Sequence, residues 1–90
     1  MERYIQNRQV VQSKIGDEVV MLDMESGYYF GLNSIASVIW NMMQDAVTVE
    51  EIVAQLLTEY AVQESQCMAE TQELIGRMLE HKIITCVTGD

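Results

Sequence analysis

Residues 18–41, EVVMLDMESGYYFGLNSIASVIWN, constrain the fold more tightly than any other part of this chain. Residues 19–24 are apolar on both alternating faces except at Asp23, the pattern of a strand with a neighbour on each side. Glu25, Ser26 and Gly27 then form a hairpin loop, with glycine where such a loop needs a left-handed backbone. Residues 28–32, YYFGL, return antiparallel. Residues 10–15, followed by the turn pair Gly16–Asp17, supply a strand on the other side, so residues 19–24 are central and 28–32 lie at an edge. Natural edges are guarded by Lys, Pro or an inward charge; this one has none, and Gly31 leaves a gap where another backbone could approach. Either a helix covers this edge or a partner binds it.

Helical periodicity takes over after the third strand. Asn33 or Ser34 suits an N-cap, and Ile35, Val38, Ile39, Met42 and Met43 recur at helical spacing to about Gln44, with Ala36 and Trp40 widening the stripe. Thr48 and Glu51 make a capping box for a second helix whose apolar face is Val49, Ile52, Val53, Leu56, Leu57 and Tyr60. Val62 is expected to plug the corner before a third helix that begins at Glu64 or Ser65 and runs to about His81. Its apolar residues form two adjoining stripes, Cys67–Thr71–Leu74–Met78 and Met68–Gln72–Ile75–Leu79, more than one packing contact requires. The second stripe suits the floor of a groove.

Residues 1–9, largely polar with one aromatic, Tyr4, read as a flexible N-terminal arm ahead of one domain over 10–90. Residues 83–87 read as an apolar tail that packs back on the sheet, and residues 88–90 should fray. The fold class is α+β: a winged helix-turn-helix with a three-stranded antiparallel sheet followed by three α-helices.

Composition narrows the chemistry. Five Lys and Arg against fourteen Asp and Glu give a net charge of −9, which repels nucleic acid and anionic membranes and favours basic partners. No apolar run approaches the roughly 20 residues that span a bilayer, and the N-terminus lacks a signal-peptide core, so a cytoplasmic protein is expected. Cys67 and Cys86 lack a CxxC spacing and read as small buried hydrophobes. Cys67 and His81, fourteen positions apart on one helix, would be separated by about 21 Å, too far for a catalytic pair or a shared metal. His81 reads as a solvated cation near a helix C-terminus. No nucleophile elbow, Walker loop or GxGxxG occurs, and neither catalysis nor a cofactor is expected. Asp23, the one charge in its strand, reads as exposed in preference to hydrogen-bonded within the fold.

The run LDMESGYYFGLNSIASVIW resembles the signature of PqqD-like proteins: a Leu-Asp pair (Leu22, Asp23), a Gly turn (Gly27), an aromatic strand (Tyr29), Leu32–Asn33, and a helix ending in Ile39–Trp40. The later spacing of Leu56, Tyr60, Val62, Cys67, Thr71, Leu74, Met78 and Ile83–Ile84 is similar too, although Cys67 and Thr71 stand where the family more often has an aliphatic residue. The resemblance implies a recognition element for ribosomally made, modified peptides. Such a protein binds the leader segment of a precursor peptide as a strand added to the third strand, against the third helix, and presents it to a modifying enzyme or leader peptidase.

On that basis the expected peptide-binding residues are Asp23, Tyr28, Tyr29, Phe30 and Gly31 on the strand side and Met68, Thr71, Gln72, Ile75 and Leu79 on the helix side. Whether Tyr28 or Tyr29 faces the groove depends on a strand phase that the sequence leaves open. The implied setting is lasso-peptide biosynthesis, with a leader peptidase as partner. A PQQ-type peptide chaperone serving a radical-SAM enzyme is the alternative, and a DNA-binding winged-helix regulator the alternative from another class. A monomer or weak dimer is expected.

Overall fold

A two-residue turn at Gly16–Asp17, with Gly16 at a left-handed φ of 62°, joins the hairpin near the N-terminus, and Gly27, at φ 77°, closes the next one. At both positions the chain reverses through a backbone that favours glycine. The structure, a computed structural model, describes residues 2–23 and 26–88. Its elements are β1 (Glu2–Gln6), β2 (Val11–Ile15), β3 (Glu18–Leu22), β4 (Tyr29–Leu32), α1 (Ser34–Met42), α2 (Val49–Glu59), α3 (Glu64–Glu80) and β5 (Ile84–Thr88). The chain is thus α+β, with three helices, as expected. Met24, Glu25, Gly89 and Asp90, part of the expected turn and tail, lie outside the described residues.

The strands form two antiparallel sheets rather than one. β2, β3 and β4 pair in that order, with Gln12 opposite Met21 and Met21 opposite Phe30. β1 pairs with β5, from Glu2 opposite Thr88 to Gln6 opposite Ile84. Two expectations are corrected here: residues 2–6 are a strand and not a loose arm, and the C-terminal tail packs on that strand and not on the three-stranded sheet. Polar bonds hold β1 in place. Tyr4 exchanges main-chain bonds with Val47 at 2.8 and 3.0 Å, the Gln6 amide donates to Met43 O, and Gln6 Nε2 donates to Trp40 O at 2.7 Å. Arg3 Nη1 meets Glu51 Oε1 at 2.8 Å. An apolar pattern was therefore not needed to order this segment.

Met21, Trp40, Met43, Ile52, Met78, Ile83 and Ile84 form the most buried part of the core, at 2% exposure or less. The Trp40 indole N–H donates to Gln12 Oε1 at 2.9 Å, tying β2 to α1. The buried face of α1 is rotated from the expected stripe: Ala36, Ile39, Trp40 and Met43 are buried as expected, but Ile35 is exposed, Val38 and Met42 are half-buried, and Ser37 is 2% exposed. The Ser37 hydroxyl accepts from Val19 N–H at 3.0 Å and donates to Leu32 O at 3.2 Å, between the last paired residues of β3 and β4. A serine on the buried stripe thus replaces a ladder bond and fixes the helix to the strands. Asn33 caps α1 through its Oδ1 to the Ala36 amide.

α2 begins with the full capping box between Thr48 and Glu51. α3 ends in a Schellman turn in which Lys82, at φ 60°, and Ile83 donate to Leu79 O and Met78 O, and Ile83 is buried beside Met78. Val62 does not plug the helix corner; it is 44% exposed. Of the two cysteines only Cys67 is buried, because Cys86 sits on exposed β5. Among the described residues no helix is long and apolar enough to cross a membrane.

Two stability outcomes follow from these contacts. Ser37→Ala strands a buried amide and should lower unfolding free energy by about 1–3 kcal/mol, whereas Thr48→Ala should cost about 1 kcal/mol; urea midpoints at unchanged slope measure both. The Glu51 carboxyl lies below the usual carboxylate range because Thr48 N–H donates to it, with Arg3 adding its charge. Its stabilising contribution is complete above the unfolded-state glutamate pKa and vanishes as pH falls through the lower folded value. Melting temperatures of wild type and Glu51→Gln should therefore differ at neutral pH and converge on acidification.

Candidate functional site

The outer edge of β4 is the first element of the site. β4 has β3 on one side, and among the described residues no strand pairs on the other. Asp23 N–H donates to Tyr28 O at 2.8 Å, so the main chain of Tyr28 turns toward β3. Alternation along an antiparallel ladder then directs the groups of Phe30 and Leu32 toward β3 and those of Tyr29 and Gly31 outward. A Cβ built on Gly31 would meet nothing within 4 Å, so the sheet face turned away from the helices is open at that residue.

The register also settles the side-chain phase. Phe30 lies opposite the buried Met21, and Leu32 opposite the buried Val19, so Phe30 faces the helices and is half-buried. Tyr29, opposite Leu22, is 74% exposed and occupies the face turned away from the core. Tyr28 shares the phase of Phe30 and is itself exposed beyond the end of β4. Tyr28 and Phe30, not Tyr29, therefore share the face on which the helices lie.

Asp23 is not the plainly exposed group expected. Its side chain is 12% exposed, its Oδ2 is 3.4 Å from His81 Nδ1, and its Oδ1 accepts from Ser26 N–H at 3.4 Å. The His81 ring lies 5.0 Å from that of Phe30. The C-terminal end of α3 is thereby joined to the β3–β4 turn, and His81 is half-exposed rather than fully solvated.

At the other end of β4 a cleft of about 420 Å³ opens, lined by Asn33, Ile35, Ala36 and Ile39 from the β4–α1 junction and α1, by Leu56, Tyr60 and Val62, and by six residues of α3. Those six are Cys67, Glu70, Thr71, Glu73, Leu74 and Arg77. Of the α3 residues expected to bind peptide, Thr71 alone lines this cleft. Ile75 is enclosed in the core at 3% exposure, Met68 and Leu79 pack half-buried against the core, and Gln72 is exposed outside the cleft. The face of α3 that lines the cleft is therefore rotated from the face expected to bind peptide. The charged residues at i, i+3 and i+7 (Glu70, Glu73 and Arg77), flanking the Cys67–Thr71–Leu74 row, are the sequence signal that could have marked it.

Desolvation and the Glu2 carboxylate, 3.6 Å from its Sγ, push the Cys86 thiol up, which keeps it protonated and weakly nucleophilic. Burial and the bond to Glu2 likewise raise Tyr4. Among the described residues no group of three or more His, Cys, Asp or Glu could hold a metal ion.

Two solved structures share this architecture. TbiB1 in complex with the TbiA(beta) leader peptide is 28% identical, with a TM-score of 0.80 over 96% of this chain and 99% of that one. A lasso peptide synthetase B1 complexed with the leader peptide is 21% identical, with a TM-score of 0.78 over 91% of this chain and 96% of that one, a likeness of fold. No curated protein matches the sequence. The family model described as coenzyme PQQ synthesis protein D (PqqD) matches residues 18–84, which include the β3–β4 hairpin and all three helices. The chain belongs to the PqqD family.

Proposed function

We propose that this protein binds the leader segment of a ribosomally synthesised precursor peptide, without catalysis, by adding it as a strand to the outer edge of β4. The observation that carries this reading is the outward main chain of Tyr29 and Gly31 on a strand that has one partner among the described residues. Main-chain pairing supplies affinity in such a complex, and pockets on the flanking helix select side chains. Two structures of similar fold, one of them 28% identical to this chain, hold a leader peptide, which supports carrying that ligand class over.

In this reading the α2–α3 unit with its flanking strands is a winged helix-turn-helix adapted to peptide, and the bound leader is presented to a processing enzyme. A lasso-peptide leader peptidase fits the two similar structures. The PQQ-type role, with a radical-SAM enzyme receiving the peptide, fits the family description and uses the same docking edge. Phe30 forms the wall of the peptide site, and Asp23, through His81, holds the hairpin against α3.

Gly31→Pro tests the edge directly. Its N–H is directed away from β3, so proline deletes an outward donor and adds bulk while sparing the β3–β4 ladder. Losing one main-chain bond, together with the added bulk, should weaken leader binding by about tenfold or more. Calorimetric titration with leader peptides of the precursors encoded beside this gene, alongside circular dichroism of the variant, makes the measurement. A folded variant that binds as tightly as wild type excludes pairing at Gly31.

A further inference from the structure

The cleft beyond β4 has a charge pattern as well as an apolar floor. Ala36, Ile39, Leu56 and Leu74 are buried at its base, while Glu70, Glu73 and Arg77 are exposed along its α3 wall. Two carboxylates against one guanidinium leave that wall acidic, on a chain whose net charge is −9. Among the described residues neither Glu73 nor Arg77 is in an ion pair, and Glu70 meets only the neutral Gln66 amide, at 3.2 Å. The Glu73 carboxylate is thus uncommitted. Asn33, the first residue after β4, lines the same cleft, so a strand laid along the β4 edge and running past Leu32 reaches its mouth.

Resting on the strand-addition reading above, we infer that this cleft selects one peptide chemistry: a large aliphatic or aromatic side chain with a lysine or arginine within two positions of it. The apolar side chain fills the space above Ile39 and Leu74, and its burial supplies the affinity of the contact. The neighbouring cation meets Glu70 and Glu73. Exposed ion pairs contribute little affinity, so the charge acts as a selector among peptides and the apolar contact as the anchor. An acidic residue at the same place faces repulsion from both carboxylates, and the wall discriminates by rejecting it as well as by attracting a cation.

Selection of a random displayed library of 14-residue peptides on the full-length protein, at 0.15 M and at 0.5 M salt, tests the inference. Peptides enriched by wild type should carry a large apolar residue flanked by Lys or Arg, and the Lys-over-Glu preference at the flank should be about tenfold at the lower salt and smaller at the higher. The double variant Glu70→Lys and Glu73→Lys, which changes only exposed positions, should abolish or invert that preference. Enrichment that is lost in Gly31→Pro but lacks a basic preference, or keeps it after the double reversal, overturns the cleft inference and leaves strand addition standing. Enrichment that survives Gly31→Pro in a folded variant removes strand addition and, with it, the inference as stated. A library from which wild type enriches nothing overturns both.

Discussion

The hydroxyl of Ser37 is the contact on which the arrangement of β4 depends. At the pair formed by Val19 and Leu32 it receives the Val19 amide proton and returns its own proton to the Leu32 carbonyl. Both residues are buried, and a polar bridge in such surroundings is costly to leave unmade. One side chain thereby closes the sheet at the end of β4 and anchors α1 one turn beyond its Asn33 cap. The geometry of the cleft inherits this constraint, because Asn33, Ile35 and Ala36 on its one side are held where Ser37 places the helix.

The other end of β4 is held by different chemistry. Asp23 donates its amide proton to Tyr28 O, accepts from the Gly27 amide through its carbonyl, and presents its carboxylate to His81 at the end of α3. Phe30 lies against the same imidazole. A four-residue strand at the edge of a three-stranded sheet is a weak template alone, since its ends can fray where no other contact holds them. Fixing both ends, one on α1 and one on α3, limits the freedom that an incoming strand would otherwise have to remove, which is how pre-organisation adds affinity.

Local chemistry made much of this legible in the sequence. The Thr48–Glu51 box, the glycine turns and the helical spacing after Asn33 are signals contained within four or five residues, and each appears in the structure where its pattern predicts. What was not legible depends on partners far along the chain. β1 pairs with residues about eighty positions away and is secured by main-chain and amide bonds, so its polar sequence reads locally as a loose arm. The outward position of Tyr29 follows from a register that only the assembled sheet defines. Ser37 is one polar residue in an apolar stripe, and Ile75 lies on the boundary between two stripes; which way each helix is rotated was decided by packing. The charge on α3, in contrast, was readable throughout: Glu64, Glu70, Glu73 and Glu80 against Arg77 make the helix acidic.

The division into two sheets bears on why β4 remains open. β5 is a strand-forming tail, ITCVT, and such a segment pairs with whatever unpaired edge it can reach. β1 supplies that edge and is itself tied to Val47, Met43 and Glu51. The tail is thereby committed on the far side of the Schellman turn after α3, where Asn7 bonds the Ile83 and Lys82 carbonyls and fixes its starting point. An N-terminal segment that looks dispensable by composition thus pairs with this strand-forming tail, which is not paired with β4. The availability of β4 is in this sense built as much by β1, through the partner it keeps away, as by the residues of β4 itself.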